Sequence, residues 1–196
     1  MTLALLTLLF FLIGSIPTGA IIAKIRGVNL RGVGSGNIGA TNVLRSVGKV
    51  PALLTVVGDM LKGVVAIATA QFFTTDPLAV GIVGLSAIAG HDFSLFLRFK
   101  GGKGVATSLG VLLVYAPMAA LVTGAIWLIV VVVTRFSSLG AIVSFTVLPM
   151  TMYLLGQDGQ KVSISAMMTA LLILRHAANI QRLIGGRESR IGDKVR

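Results

Sequence analysis

The chain has 196 residues, of which 55% are hydrophobic and 12% charged, with a mean hydropathy of +0.96; that balance excludes a soluble domain whose surface faces water. A formal net charge of +11 would suit nucleic acid, but cations beside apolar runs mark the cytoplasmic flank of a membrane protein, where anionic headgroups favour them. The absence of cysteine rules out disulfides, thiolate nucleophiles and thiolate-held metals.

The first apolar run, 2–22, has no Lys or Arg ahead of it and no small-x-small cleavage pattern, so we read it as a retained first helix. Further runs follow at 51–73, 78–97, 105–115, 118–134, 139–155 and 163–174. A span needs roughly 20 apolar residues, so seven of them fill a chain of this length only as one domain, 1–196, with brief loops. The expected fold is an all-α polytopic membrane helix bundle of about seven transmembrane helices. The run at 105–115 is short and ends at Ala116-Pro117, the pattern of a half-helix or re-entrant piece, and six crossings are the alternative. With the amino end outside, all cations but Lys62 and Lys161 fall in inner loops or the carboxyl tail, Lys194 and Arg196 included. The carboxyl terminus is therefore expected in the cytoplasm.

Three polar stretches interrupt this chain, all on the expected cytoplasmic side. In GSGNIGATNVLR, 34–45, Gly34 and Gly36 allow close backbone approach. Ser35, Asn37, Thr41 and Asn42 offer hydrogen bonds, and Arg45 supplies a forked cation, a set that suits a phosphate or a polyol. In the stretch 90–110, Gly101, Gly102 and Gly104 frame Lys103 just ahead of an apolar helix. Free amides at such a helix start favour an anion. The run GGKGVAT lacks the Gly-Lys-Ser/Thr ending of a Walker A loop, which disfavours a nucleotide triphosphate. In the third stretch, 175–190, His176 and Asn179 stand three apart on one helix face with Arg182 close behind. His176 can take a proton near neutral pH. Glu188, the one glutamate in the chain, stands among Arg182, Arg187 and Arg190 and reads as a structural anchor.

Asp59 and Lys62 lie three apart inside the second span, where an uncompensated charge costs about 2.5–3.5 kcal/mol on insertion scales, so mutual neutralisation and helix packing are expected. His91-Asp92 has no accompanying ligand cluster at metal spacing, and no metal is expected. Trp127 reads as a packing or lipid-facing group.

Taken in order, GSIPTG at 14–19, GSGNIGATNVLR, GHDFSLFLRFKGGKGVAT and RHAANIQRL with its GGRES tail resemble the PlsY family, bacterial membrane glycerol-3-phosphate acyltransferases that use acyl phosphate. The resemblance runs nearly end to end. It departs at Ser94, where many members have proline, and at Ala177, where a basic residue is frequent. It implies transfer of a fatty acyl group from acyl phosphate to the first hydroxyl of glycerol 3-phosphate, giving lysophosphatidate and inorganic phosphate for phospholipid synthesis. No cofactor and no obligate protein partner are expected, only the two substrates and the lipids of the bacterial inner membrane, with the site on its cytoplasmic face. The resemblance makes Ser35, His176 and Asn179 catalytic candidates, gives the glycine loop with Lys103 to phosphate, Arg45 to substrate, and Glu188 to structure.

Because acyl phosphate is already activated, no covalent intermediate is demanded, and preorganised donors are the expected catalytic device. A His followed by Asp five residues later is absent, since these positions hold Phe96 and Gln181. The proton acceptor is therefore either His176 or an oxygen of the substrate phosphate. A phosphate carrier and a headgroup-binding scaffold are the rival classes; the former calls for cations lining a midplane cavity, the latter leaves two glycine-rich loops unexplained.

Overall fold

Pro17 splits the first apolar run. In the computed structural model, which describes residues 2–193, α1 (Leu3–Ser15) ends there and α2 (Thr18–Ile25) resumes, the two forming one interrupted span of 23 residues. The tail cations Lys194 and Arg196 lie outside the described residues. The polar stretch that follows carries the short helix α3 (Ala40–Ser46). It leads into α4 (Lys49–Phe73), whose 25 residues reach about 37 Å, enough to cross a bilayer. Asp76 then accepts from the N–H groups of Leu78 and Ala79 and, with Pro77 at the first position, starts α5 (Pro77–Asp92).

The run at 105–115 becomes α6 (Val105–Tyr115). Its 11 residues span about 16 Å, half a hydrocarbon core, as its length predicts. α7 (Pro117–Thr134) crosses fully. Near Pro149 the next run breaks into α8 (Ser137–Thr146) and α9 (Leu148–Leu154), bent by 42°, and the last forms α10 (Gly159–Arg175) and α11 (Ala177–Ile184), bent by 60° at His176. Four spans are long and apolar enough to cross, or six if each bent pair counts as one. With α6 as a seventh, short member, the described residues form the expected helical bundle with broken pieces.

Small residues set the packing, as lipid-immersed helices require. Gly14 and Gly90 let α1 and α5 meet main chain to main chain, and Gly63 and Gly110 do so for α4 and α6; a Cβ at any of these would overlap a backbone carbonyl. Phe10, Ile67, Val83, Leu112, Phe145 and Met168 fill the core between these helices. Ser94 makes use of its departure from proline: its buried hydroxyl donates to the Ser15 carbonyl at the end of α1.

This winding brings the carboxyl ends of α2, α5, α7 and α10 and the amino ends of α4, α6 and α8 to one side, with the three polar stretches. The opposite side holds short turns, where the Tyr115 hydroxyl donates to the Pro77 carbonyl at 2.8 Å and Lys161 lies 5.3 Å from the Tyr115 ring.

Candidate functional site

The first polar stretch is organised from within by Asn42, which is buried. Its Nδ2 serves the carbonyls of Leu30, Val33 and Asn37, the last at 2.8 Å, while its Oδ1 accepts from the Ser35 N–H at 3.1 Å. Gly34 and Gly36 take φ of 56° and 68°, the left-handed region glycine enters without penalty. A Cβ at Gly34 would strike Asn42 Oδ1. These two glycines thus shape the loop around Asn42, and the loop presents Ser35, whose hydroxyl makes no hydrogen bond among the described residues.

The second stretch differs from the sequence expectation in one respect. The amides of Gly101 and Gly102 are not free for an anion: they donate to the carbonyls of Asp92 and His91 at 3.2 and 2.9 Å. The N–H groups without an acceptor among the described residues begin one residue later, at Lys103 and the first turn of α6. That helix start carries the positive end of the peptide dipoles. Lys103 itself forms no ion pair among the described residues. Burial, with Arg182, Arg175 and Arg45 around it and only Glu188 opposing them, pushes its ammonium down to about 8.

The third stretch bends at His176. Its Nδ1 lies 2.8 Å from the Leu172 carbonyl, and because a carbonyl only accepts, Nδ1 carries the proton and Nε2 keeps its lone pair. Asn179, on the same face, donates to Glu188 Oε1 at 2.6 Å; Ser138 donates to the same oxygen at 2.7 Å, and Arg182 Nε to Oε2 at 2.7 Å. Burial alone would raise the Glu188 carboxyl, but these three donors hold it below the usual carboxylate range. Glu188 is thus the anchor of a tail segment that folds back over the site. Arg45 Nη2 donates to the Ser189 and Arg190 carbonyls at 2.9 and 3.2 Å, and Arg135 grips the Ile191 carbonyl.

The three stretches meet at one cavity of about 220 Å³. Its mouth is lined by Ser35, Asn37, Thr41, Asn42, Arg45, Lys103, Gly104, His176, Asn179 and Glu188. Gly34, Gly36, Gly101 and Gly102 do not line it; they act on the backbone that does. Deeper, the wall turns apolar with Val56, Met60, Leu109 and Ala141 from α4, α6 and α8. Further groups not expected from the sequence also line it, among them Asp59, His91, Trp127 and Ser137. Asp59 does pair with Lys62 at 2.6 Å, and Lys62 also donates to the Ile16 carbonyl at the break of the first span. Asp59 Oδ1 also stands 3.6 Å from His91 Nδ1, so the pair packs helices while Asp59 alone of the two borders the cavity. Its i, i+3 spacing was the available signal; that its face turns toward the site depends on how α4 is rotated. Among the described residues no group of three His, Asp or Glu is arranged to hold a metal ion.

A cationic mouth with helix-start amides and an imidazole lone pair, above an apolar interior, suits a substrate with an anionic head and a long apolar tail. The sequence model of glycerol-3-phosphate acyltransferase matches residues 4–186. The glycerol-3-phosphate acyltransferase of Halorhodospira halophila is 46% identical over 191 residues, covering 96% of both chains. That of Rhizobium meliloti is 46% identical over 186 residues, covering 94% of this chain and 90% of its own. Among solved structures, the glycerol 3-phosphate form of PlsY, an integral membrane glycerol 3-phosphate acyltransferase, superposes with a TM-score of 0.92 at 39% identity, covering 97% of this chain and 96% of that one. Its lysophosphatidic acid form gives 0.89 at 38% identity, covering 97% and 95%.

Proposed function

This chain belongs to the glycerol-3-phosphate acyltransferase family and is a membrane acyltransferase, and we propose that it takes its acyl group from acyl phosphate and delivers it to the 1-hydroxyl of glycerol 3-phosphate. The products are lysophosphatidate and inorganic phosphate. The observation that carries this reading is the shared cavity: Lys103, the open amides at the start of α6 and His176 border the same space as the apolar wall of α4, α6 and α8. Two anionic heads and one alkyl chain need that combination.

In the proposed reaction the hydroxyl oxygen of glycerol phosphate attacks the acyl carbonyl. A carbon–oxygen bond forms, the bond from the acyl carbon to the phosphate oxygen breaks, and phosphate leaves with the electron pair. Lys103, Arg45 and the helix-start amides offset the charge on the phosphates and on the carbonyl oxygen as it becomes anionic. The hydroxyl proton goes to His176 Nε2, the nitrogen of that ring which keeps its lone pair; a substrate phosphate oxygen is the competing acceptor. Ser35 orients the acceptor through its uncommitted hydroxyl, and Asn179, fixed by Glu188, lies beside His176. No cofactor, metal or obligate protein partner enters.

The cationic side is assigned to the cytoplasm by the positive-inside bias, with the amino terminus outside and the protein in the inner membrane. Activity of a reporter fused after Arg196 on the outer side would reverse this orientation. The donor is tested by supplying purified protein with glycerol 3-phosphate and, in parallel, acyl phosphate, acyl-CoA and acyl carrier protein. Lysophosphatidate is expected only with acyl phosphate; equal yield from a thioester would overturn the donor assignment.

A further inference from the structure

We propose that Arg175 is a positioning residue that sets the anion-binding end of α6 by holding the glycine turn in front of it from α10. Its Nε and Nη2 donate to the Gly102 carbonyl at 3.0 and 2.7 Å, and Nη2 reaches the Gly101 carbonyl at 3.4 Å. The guanidinium also lies 5.1 Å from the Phe93 ring, which fixes its plane. From the other side Arg31 donates to the Lys100 carbonyl and, at 3.2 Å, to the Gly36 carbonyl. The amides of Gly101 and Gly102 are tied to the end of α5. Every peptide of this turn is therefore held by a neighbour, and the next residue is Lys103.

Arg175 does not line the cavity, so it is not placed to hold a phosphate there itself. The residue after it, His176, does line the cavity. One backbone step thus couples the proton acceptor to the phosphate cradle, and a lysine cannot reproduce the planar fork that makes this link.

The inference rests on the proposed anion site, and it is tested with detergent-solubilised protein by calorimetric titration of inorganic phosphate, which needs no turnover. R175K keeps the charge and loses the fork; its phosphate Kd and KM for glycerol 3-phosphate are expected to rise roughly tenfold, as loss of a charge-assisted hydrogen bond implies, with kcat within about threefold. R175M loses the charge as well. Besides the same weakening, the alkaline limb of its pH profile should move upward, because the Lys103 ammonium is held low by burial first and then by the charges of Arg182, Arg175 and Arg45 against Glu188, and R175M removes one of these. In R175K that limb should stay in place. Unfolding midpoints close to wild type in both variants exclude a collapsed fold. The proposal is overturned if R175K binds phosphate like wild type, whether or not R175M does, or if wild type binds none. Should the expected pattern appear while no donor yields lysophosphatidate, the reaction assignment falls and Arg175 keeps its role.

Discussion

His176 Nδ1 sits 2.8 Å from the carbonyl of Leu172, one turn back on α10. The bond fixes the tautomer, turning the lone pair of Nε2 outward from the helix that holds it. For His176→Gln we therefore expect kcat to fall by about 10²–10⁴ with little change in KM. A variant in which only KM rises would transfer the proton to the substrate phosphate.

Lys103 titrates near 8 because it is buried among arginines. Below that value the free enzyme carries the ammonium that an anion needs; above it the charge is lost. The kcat/KM for glycerol 3-phosphate should accordingly fall about tenfold per unit of pH above 8, whereas kcat, set by the substrate-bound enzyme, should hold out to higher pH. Lys103→Gln should be weak throughout and lack this limb. A wild-type kcat/KM that stays flat to about pH 9.5 would remove Lys103 from the phosphate site.

Glu188 holds Ser138, Asn179 and Arg182 together, so Glu188→Gln should cost about 1–3 kcal/mol, or roughly 2–12 °C in the unfolding midpoint. Because the folded carboxyl is held below its unfolded value, its contribution is complete above the unfolded pKa and vanishes as pH falls through the folded one. Wild type and variant should thus converge in acid. Midpoints that coincide at neutral pH would show that the tail needs no anchor.

Lys62→Met strands the buried Asp59 carboxylate, at a cost of about 3–5 kcal/mol. Adding Asp59→Asn removes the stranded charge and should restore much of the loss in detergent unfolding. A double variant no more stable than Lys62→Met would mean that Lys62 acts mainly through the Ile16 carbonyl.

The bundle and the membership of the mouth were legible because polar residues stand out in an apolar chain: Ser35, Arg45, Lys103 and His176 each sit in a stretch that interrupts the spans, and all four line one cavity. Hydropathy also foresaw the short α6. What could not be read is how helices are rotated and which backbone groups are already engaged. Asp59 and His91 reach the cavity floor only through the phase of α4 and α5, and Trp127, expected against lipid or in packing, contributes to its wall. The amides of Gly101 and Gly102 look available in the sequence but are bound to the end of α5. Likewise, nothing in the sequence tells that the tail returns to Arg45 and Arg135, more than fifty residues away in each case.

Arg31, through the Lys100 carbonyl, and Arg45, Arg135 and Arg175 each donate to carbonyls on a different stretch of chain. The rim is stitched into a single net, so its segments should not fray independently. Hydrogen exchange in native conditions should find the amides of 30–48, 98–104 and 185–193 opening with one shared free energy, distinct from that of the spans beneath.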